Sequence, residues 1–134
     1  MKKQELWLNL PVKDLAKTKT FFIALGFEPT RDAPGMVGFN IGQVPVMMIT
    51  EPEFEKYTVH KVADTSTGSE ILISVDAPDK VYVDEMAERV KSAGGEVFSK
   101  PQEILGWMYN MGFTDLDGHC WNILYMDHDK VPKS

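Results

Sequence analysis

One cysteine, Cys120, is the entire thiol content of this 134-residue chain. No disulfide can therefore close within it, and the composition suits a reducing compartment. Histidine is nearly as scarce: His60, His119 and His128 are the three, and no two stand at the spacing of paired metal ligands. No apolar run approaches the ~20 residues of a membrane span. The opening Met1-Lys-Lys-Gln-Glu-Leu6 lacks the apolar stretch of a signal peptide. These absences point to a cytoplasmic protein with no membrane partner. Positive charge is also short, with 14 Lys and Arg against 20 Asp and Glu and a net charge of −6. Without a basic stripe to displace counterions, nucleic acid is excluded as a partner. The acidity suits solubility and leans toward neutral or cationic ligands.

What remains is an ordinary globular composition, long enough to bury a sizeable core in one domain without a metal or disulfide. Leu6 to Val12 alternates with period two, placing Leu6, Leu8, Leu10 and Val12 opposite Trp7, Asn9 and Pro11. Asp14 is a good helix cap, Leu15, Phe22 and Leu25 follow helical spacing, and Gly26 stops the helix. Strands are expected over Phe27 to Arg31, Met36 to Ile41 and Val44 to Thr50, with turns at Ala33-Pro-Gly35 and Gly42-Gln43. Glu51 to Thr67 reads as a short helix and a polar loop. Glu70 to Asp76 is again a strand, with Pro78 suiting the first turn of a helix that runs to Gly94-Gly95. Glu96 to Ser99, Met108 to Phe113 and His119 to Met126 complete the strands.

The two halves thus share one order: strand, helix ended by glycine, then three strands. This internal repeat, with little sequence identity, is the most informative global feature of the chain. The expected fold is α+β, two βαβββ units (about 5–50 and 70–127, joined by a linker of about 51–69) forming a cupped mixed sheet around a shared concavity. The whole of 1–134 is read as a single domain.

That order, with Leu10-Pro-Val-Lys-Asp-Leu15, Phe21-Phe22, Ala24-Leu-Gly-Phe27, Ser74-Val-Asp76, Ala93-Gly-Gly95 and Phe113-Thr-Asp-Leu-Asp-Gly118, resembles the vicinal oxygen chelate superfamily of glyoxalases, bleomycin-resistance proteins and extradiol dioxygenases. Within it the chain looks similar to a bacterial group often labelled predicted lactoylglutathione lyase. The resemblance spans about residues 5–127 and implies the glyoxalase/bleomycin-resistance fold and a homodimer. Fold alone does not imply activity.

Metal-dependent members of the superfamily carry His or Glu at four strand positions. By the resemblance these fall on Trp7, Met48, Glu70 and Asn122 here. An indole cannot ligate, a thioether suits soft copper(I), and one carboxylate with one amide falls short of the three firm ligands a catalytic dication needs. The expectation is a protein with neither metal nor other cofactor.

Glu70 has two readings: a carboxylate in an apolar cavity serving as a general base, or a solvated strand-end residue. Asn122 either bonds a ligand or satisfies a neighbour such as Asn9 or Glu70. His119 and Cys120 are adjacent, but strand neighbours point to opposite faces, so they make no catalytic dyad. Trp7, Met47, Met48, Trp107, Met108, Tyr109, Met111 and Trp121 gather on or near the expected strands. Met adapts to irregular apolar shapes and Trp stacks on planar or cationic groups.

The candidate ligand-binding set is therefore Trp7, Asn9, Met48, Glu70, Tyr109, Met111 and Asn122, with Glu70 the candidate catalytic residue. The expected function is metal-free binding of a small apolar or cationic molecule. Whether the protein is an enzyme stays open, the alternative being a glyoxalase-type lyase or isomerase that uses Glu70 or an altered metal site. No Arg or Lys falls at the expected cavity positions, which weighs against glutathione's carboxylates as a ligand feature.

Overall fold

The computed structural model describes residues 3–132. The chain divides into two compact units, Met1–Asp64 and Thr65–Ser134. The first contains β1 (Leu8–Val12), α1 (Leu15–Ala24), β2 (Pro29–Ala33), β3 (Met36–Ile41), β4 (Val44–Thr50) and α2 (Glu51–Thr58). The second contains β5 (Leu72–Asp76), α3 (Lys80–Ala93), β6 (Glu96–Ile104), β7 (Met108–Thr114) and β8 (Cys120–Met126). Each is a βαβββ unit with one four-stranded mixed sheet, in orders β1-β4-β3-β2 and β5-β8-β7-β6. In each, the first strand lies parallel to the last and the remaining pairs are antiparallel. The α+β repeat expected from the sequence is the fold.

Both crossover helices begin on an aspartate. Asp14 accepts a hydrogen bond from the backbone N–H of Lys17 at 3.0 Å, and Asp79 one from Tyr82 at 2.8 Å. Each cap satisfies an amide that the first turn leaves without an intrahelical partner. Pro78 accordingly precedes the helix instead of lying in its first turn.

In the first unit, α1 buries Thr18, Phe21 and Phe22 against one sheet face. Phe22 meets Phe39 of β3 with ring centroids 5.6 Å apart. Val37 and Phe39 share that face with their register partners Met48 and Val46, and with Leu10 beside Met48. In the second unit, α3 buries Val83, Met86, Ala87 and Val90. The facing sheet supplies Met111, Phe113, Trp121 and Ile123, all fully buried, with Phe113 stacked on Trp121 at 6.2 Å. Each unit therefore has one face closed by its helix and one face turned away from it.

Several expected boundaries move. β5 starts at Leu72, leaving Glu70 in the exposed loop before it. β6 is longer than expected and runs through Pro101 to Ile104, with register shifts between Val97 and Gln102. Pro101 is compatible with this because β6 is the edge strand of its sheet.

Candidate functional site

Strand register decides which side chains can meet a ligand, because successive residues point to opposite faces. On the face of the first sheet turned away from α1, one row crosses all four strands: Asn9, Met47, Gly38 and Arg31 are successive register partners. Gly38 is what lets its neighbours approach one another. A Cβ placed there would lie 2.8 Å from Met47 Sδ and 3.3 Å from Arg31 Cβ.

Over this face α2 packs against β1 and β4. Between helix and sheet runs a groove of about 840 Å³. Its sheet side carries Trp7, Asn9, Met36, Pro45, Met47 and Ile49; α2 contributes Glu53, Phe54, Tyr57 and Thr58; Arg31 and the Pro34-Gly35 turn close the far end. Trp7 is 53% exposed and Tyr57 78% exposed, unusual for such large rings. That volume falls within the range of small-molecule sites, and its wall is mostly apolar.

The second sheet repeats the pattern with different chemistry. Ser74, Asn122 and Gly112 are successive register partners on the face turned away from α3. Ser74 precedes the capping Asp79 by the same number of residues as Asn9 precedes Asp14, so the two rows correspond. The counterpart of Asn122 is Met47, and that of Trp7 is Leu72.

Asn122 donates through Nδ2 to Ser74 Oγ at 3.1 Å and accepts at Oδ1 from Asn110 Nδ2 at 2.8 Å. Asn110 Oδ1 is buried with no hydrogen-bond partner among the described residues. Turning both amides over would reverse the two bonds and leave an orphaned N–H in its place. Either way the hydrogen-bonded set Ser74–Asn122–Asn110 ends in one neutral polar atom unmet among the described residues, an expensive state inside a protein.

Several sequence expectations change here. Met48 is fully buried on the α1 side, one residue out of phase with Trp7 and Asn9; Met47 lines the groove in its place. Tyr109 and Met111 belong to the α3 side: Tyr109 Oη donates to Asp84 on α3 at 2.6 Å, and Met111 is fully buried. That bond to Asp84 also raises the phenol's pKa, so the ring is a structural tie. Glu70 is exposed and lies outside the strand, which is the solvated alternative and not the desolvated base. Asn122 bonds two neighbours, Ser74 and Asn110, where the sequence reading named Asn9 and Glu70. Trp7 and Asn9 stand on the groove. Arg31 also lines it, correcting the expectation that no cation would face the cavity. The alternation of Thr30, Arg31 and Asp32 could have signalled this, had β2 been extended to Ala33.

Cys120 is half-buried and its Sγ lies 3.1 Å from Ser69 Oγ. His119 carries no ligand role that the geometry supports: its backbone N–H serves the 115–118 turn instead, donating to Asp115 Oδ1.

The donor chemistry does not suit a divalent metal. The sheet faces turned away from the crossover helices carry the indole of Trp7 and the thioether of Met47 in the first unit, and in the second the apolar Leu72 and the Asn122 amide, which already holds two hydrogen bonds. Among the described residues no three His, Cys, Asp or Glu side chains converge. Catalytic dications need about three charged or imidazole donors in place.

The profile of the Glyoxalase/Bleomycin resistance protein/Dioxygenase superfamily matches residues 6–123. Among solved structures, a hypothetical protein, SA1046, from S. aureus is 36% identical with a TM-score of 0.84, covering 93% of this chain and 95% of that one. A glyoxalase-related enzyme from Fulvimarina pelagi is 16% identical at TM-score 0.78, covering 92% and 88%. A fosfomycin resistance protein, FosX, from Listeria monocytogenes, complexed with Mn(II) and sulfate, is 21% identical at TM-score 0.70, covering 94% and 92%. No functionally curated protein matches the chain.

Proposed function

The chain belongs to the Glyoxalase/Bleomycin resistance protein/Dioxygenase superfamily, and from that premise we propose that it is a metal-independent binding protein for a small, largely apolar molecule. The observation that carries this reading is the groove of about 840 Å³ in the first unit, walled by Trp7, Met36, Met47, Ile49, Phe54 and Tyr57. An exposed indole costs hydrophobic free energy unless something covers it, and stacking on a planar group would recover that loss. The methionines let the floor adapt to an irregular shape. A cation would also stack on Trp7, but Arg31 in the same groove disfavours one.

The enzymatic alternative, a glyoxalase-type lyase, needs a base or a metal. Glu70 is exposed, and neither Trp7 with Met47 in the first unit nor Leu72 with Asn122 in the second supplies the charged or imidazole donors a dication needs. Homodimerisation and a cytoplasmic setting belong to the same proposal as expectations from the family resemblance and the single free cysteine.

Two experiments test it. Elemental analysis of the purified protein followed by Ni²⁺ and Zn²⁺ titration should find no stoichiometric metal; tight one-to-one binding would overturn the metal-independent reading. A thermal-shift screen of planar apolar compounds should give hits that weaken on Trp7→Ala, and hits indifferent to that change would place the ligand elsewhere.

A further inference from the structure

We propose that the groove selects ligands bearing a carboxylate or similar anionic head, with Arg31 as its anchor; this rests on the groove's being the ligand site. Arg31 lines the groove at the end of the Asn9–Met47–Gly38–Arg31 row. Its guanidinium makes no ion pair or hydrogen bond among the described residues.

The acids nearby are already engaged. Asp32, the next residue on β2, points the other way and holds Lys19 of α1 at 2.6 Å. Glu53, which shares the groove, holds Lys56 one turn along α2 at 2.9 Å. A guanidinium without a counter-ion among the described residues, in a groove that Met36 and Met47 also line, is a planar donor fork suited to a bidentate oxyanion. The exposed rings of Trp7 and Tyr57 supply a stacking surface for the remainder of such a molecule. The ligand chemistry is thus amphiphilic, with an aromatic or apolar body and one anionic head.

A neutral and an anionic probe of equal shape separate the inference from the reading beneath it. Binding of 1-naphthoate and of 1-naphthamide is measured by calorimetry on wild type, Arg31→Gln and Arg31→Lys. Because Arg31 is exposed, screening limits the effect. Wild type should prefer naphthoate by about fivefold, a preference that fades at high salt. Arg31→Gln should remove the preference while retaining naphthamide binding, which also shows that the variant is folded; Arg31→Lys should keep part of it. Equal affinity for both probes, or a preference that survives in Arg31→Gln, would overturn the anionic-head inference and leave the groove intact as a site. Binding of neither probe by wild type would overturn both.

Discussion

Trp121 donates its indole N–H to Asp115 Oδ2 at 3.0 Å, joining the core of the second unit to the turn that precedes β8. The other carboxylate oxygen of Asp115 accepts from the backbone N–H groups of Asp117 and His119, each at 3.0 Å. All three donors and the nearby His119 charge favour the carboxylate, but burial outweighs them and raises its pKa above the ordinary 3.8.

A pH dependence of definite sign follows. Between the unfolded pKa and the raised folded one, the native state binds the extra proton, so stability contributed by this group falls as pH rises through that window. Above the folded pKa it is constant. Asp115→Asn removes this slope. It also presents an amide N–H₂ to groups that are themselves donors, at a cost of about 1–3 kcal/mol. Urea titrations across the acid range on both proteins should show the wild-type advantage shrinking with rising pH; a gap that widens would contradict the raised pKa.

Met47 and Met48 form a natural pair of controls, since adjacent residues meet opposite surroundings. Met48→Ala opens a cavity beneath α1 and should cost about 2–5 kcal/mol in chemical denaturation. Met47→Ala removes a half-buried groove wall and should cost about 1 kcal/mol or less, while weakening any ligand that depends on Trp7. The reverse ranking would mean that β4 runs one residue out of the register described above.

Asn122 sits between two hydrogen-bond partners, Ser74 and Asn110, and Asn110 ends that set. Asn122→Ala removes the partner of the buried Asn110 amide and should destabilise by about 1–3 kcal/mol. Asn110→Ala breaks one bond but also deletes the orphaned atom, so its cost should be the smaller of the two. Equal losses, measured in the same buffer, would show that the orphaned atom finds a partner in solution.

Gly38 holds the floor of the groove open. Gly38→Ala would place a methyl group 2.8 Å from Met47 Sδ, the end of a flexible side chain that can swing aside. The expected result is a small change in melting temperature with a clear loss of affinity for groove ligands, because the displaced thioether then occupies their space. A large drop in melting temperature without loss of affinity would argue that Met47 is fixed where it stands.

Much of this was legible from residue order alone. Period-two runs, aspartate caps and glycine stops defined both βαβββ units, because each of these signals is local. Faces within strands were less secure. Met47-Met48 offers two identical side chains, and only hydrogen-bonded register against Leu10 and Val37 tells them apart. Tyr109 and Met111 are ambiguous in the sequence because aromatic and thioether groups suit a core and a cavity equally well. Glu70 depended on where β5 begins, a boundary that period-two alternation extends too far when a polar loop continues it. Arg31 is hard to assign from the sequence because β2 is a mostly exposed edge strand, Pro-Thr-Arg-Asp-Ala, with little apolar periodicity to mark its faces.

The placement of the tryptophans equips each unit with its own optical reporter. Trp7, half in solvent at the groove, should emit to the red and be quenched readily by acrylamide. Trp121, fully buried against Phe113 and tied to Asp115, should emit to the blue and resist quenching until the second unit unfolds. With Trp107 replaced by Phe, one spectrum would follow groove occupancy in the first unit and structural integrity in the second at the same time.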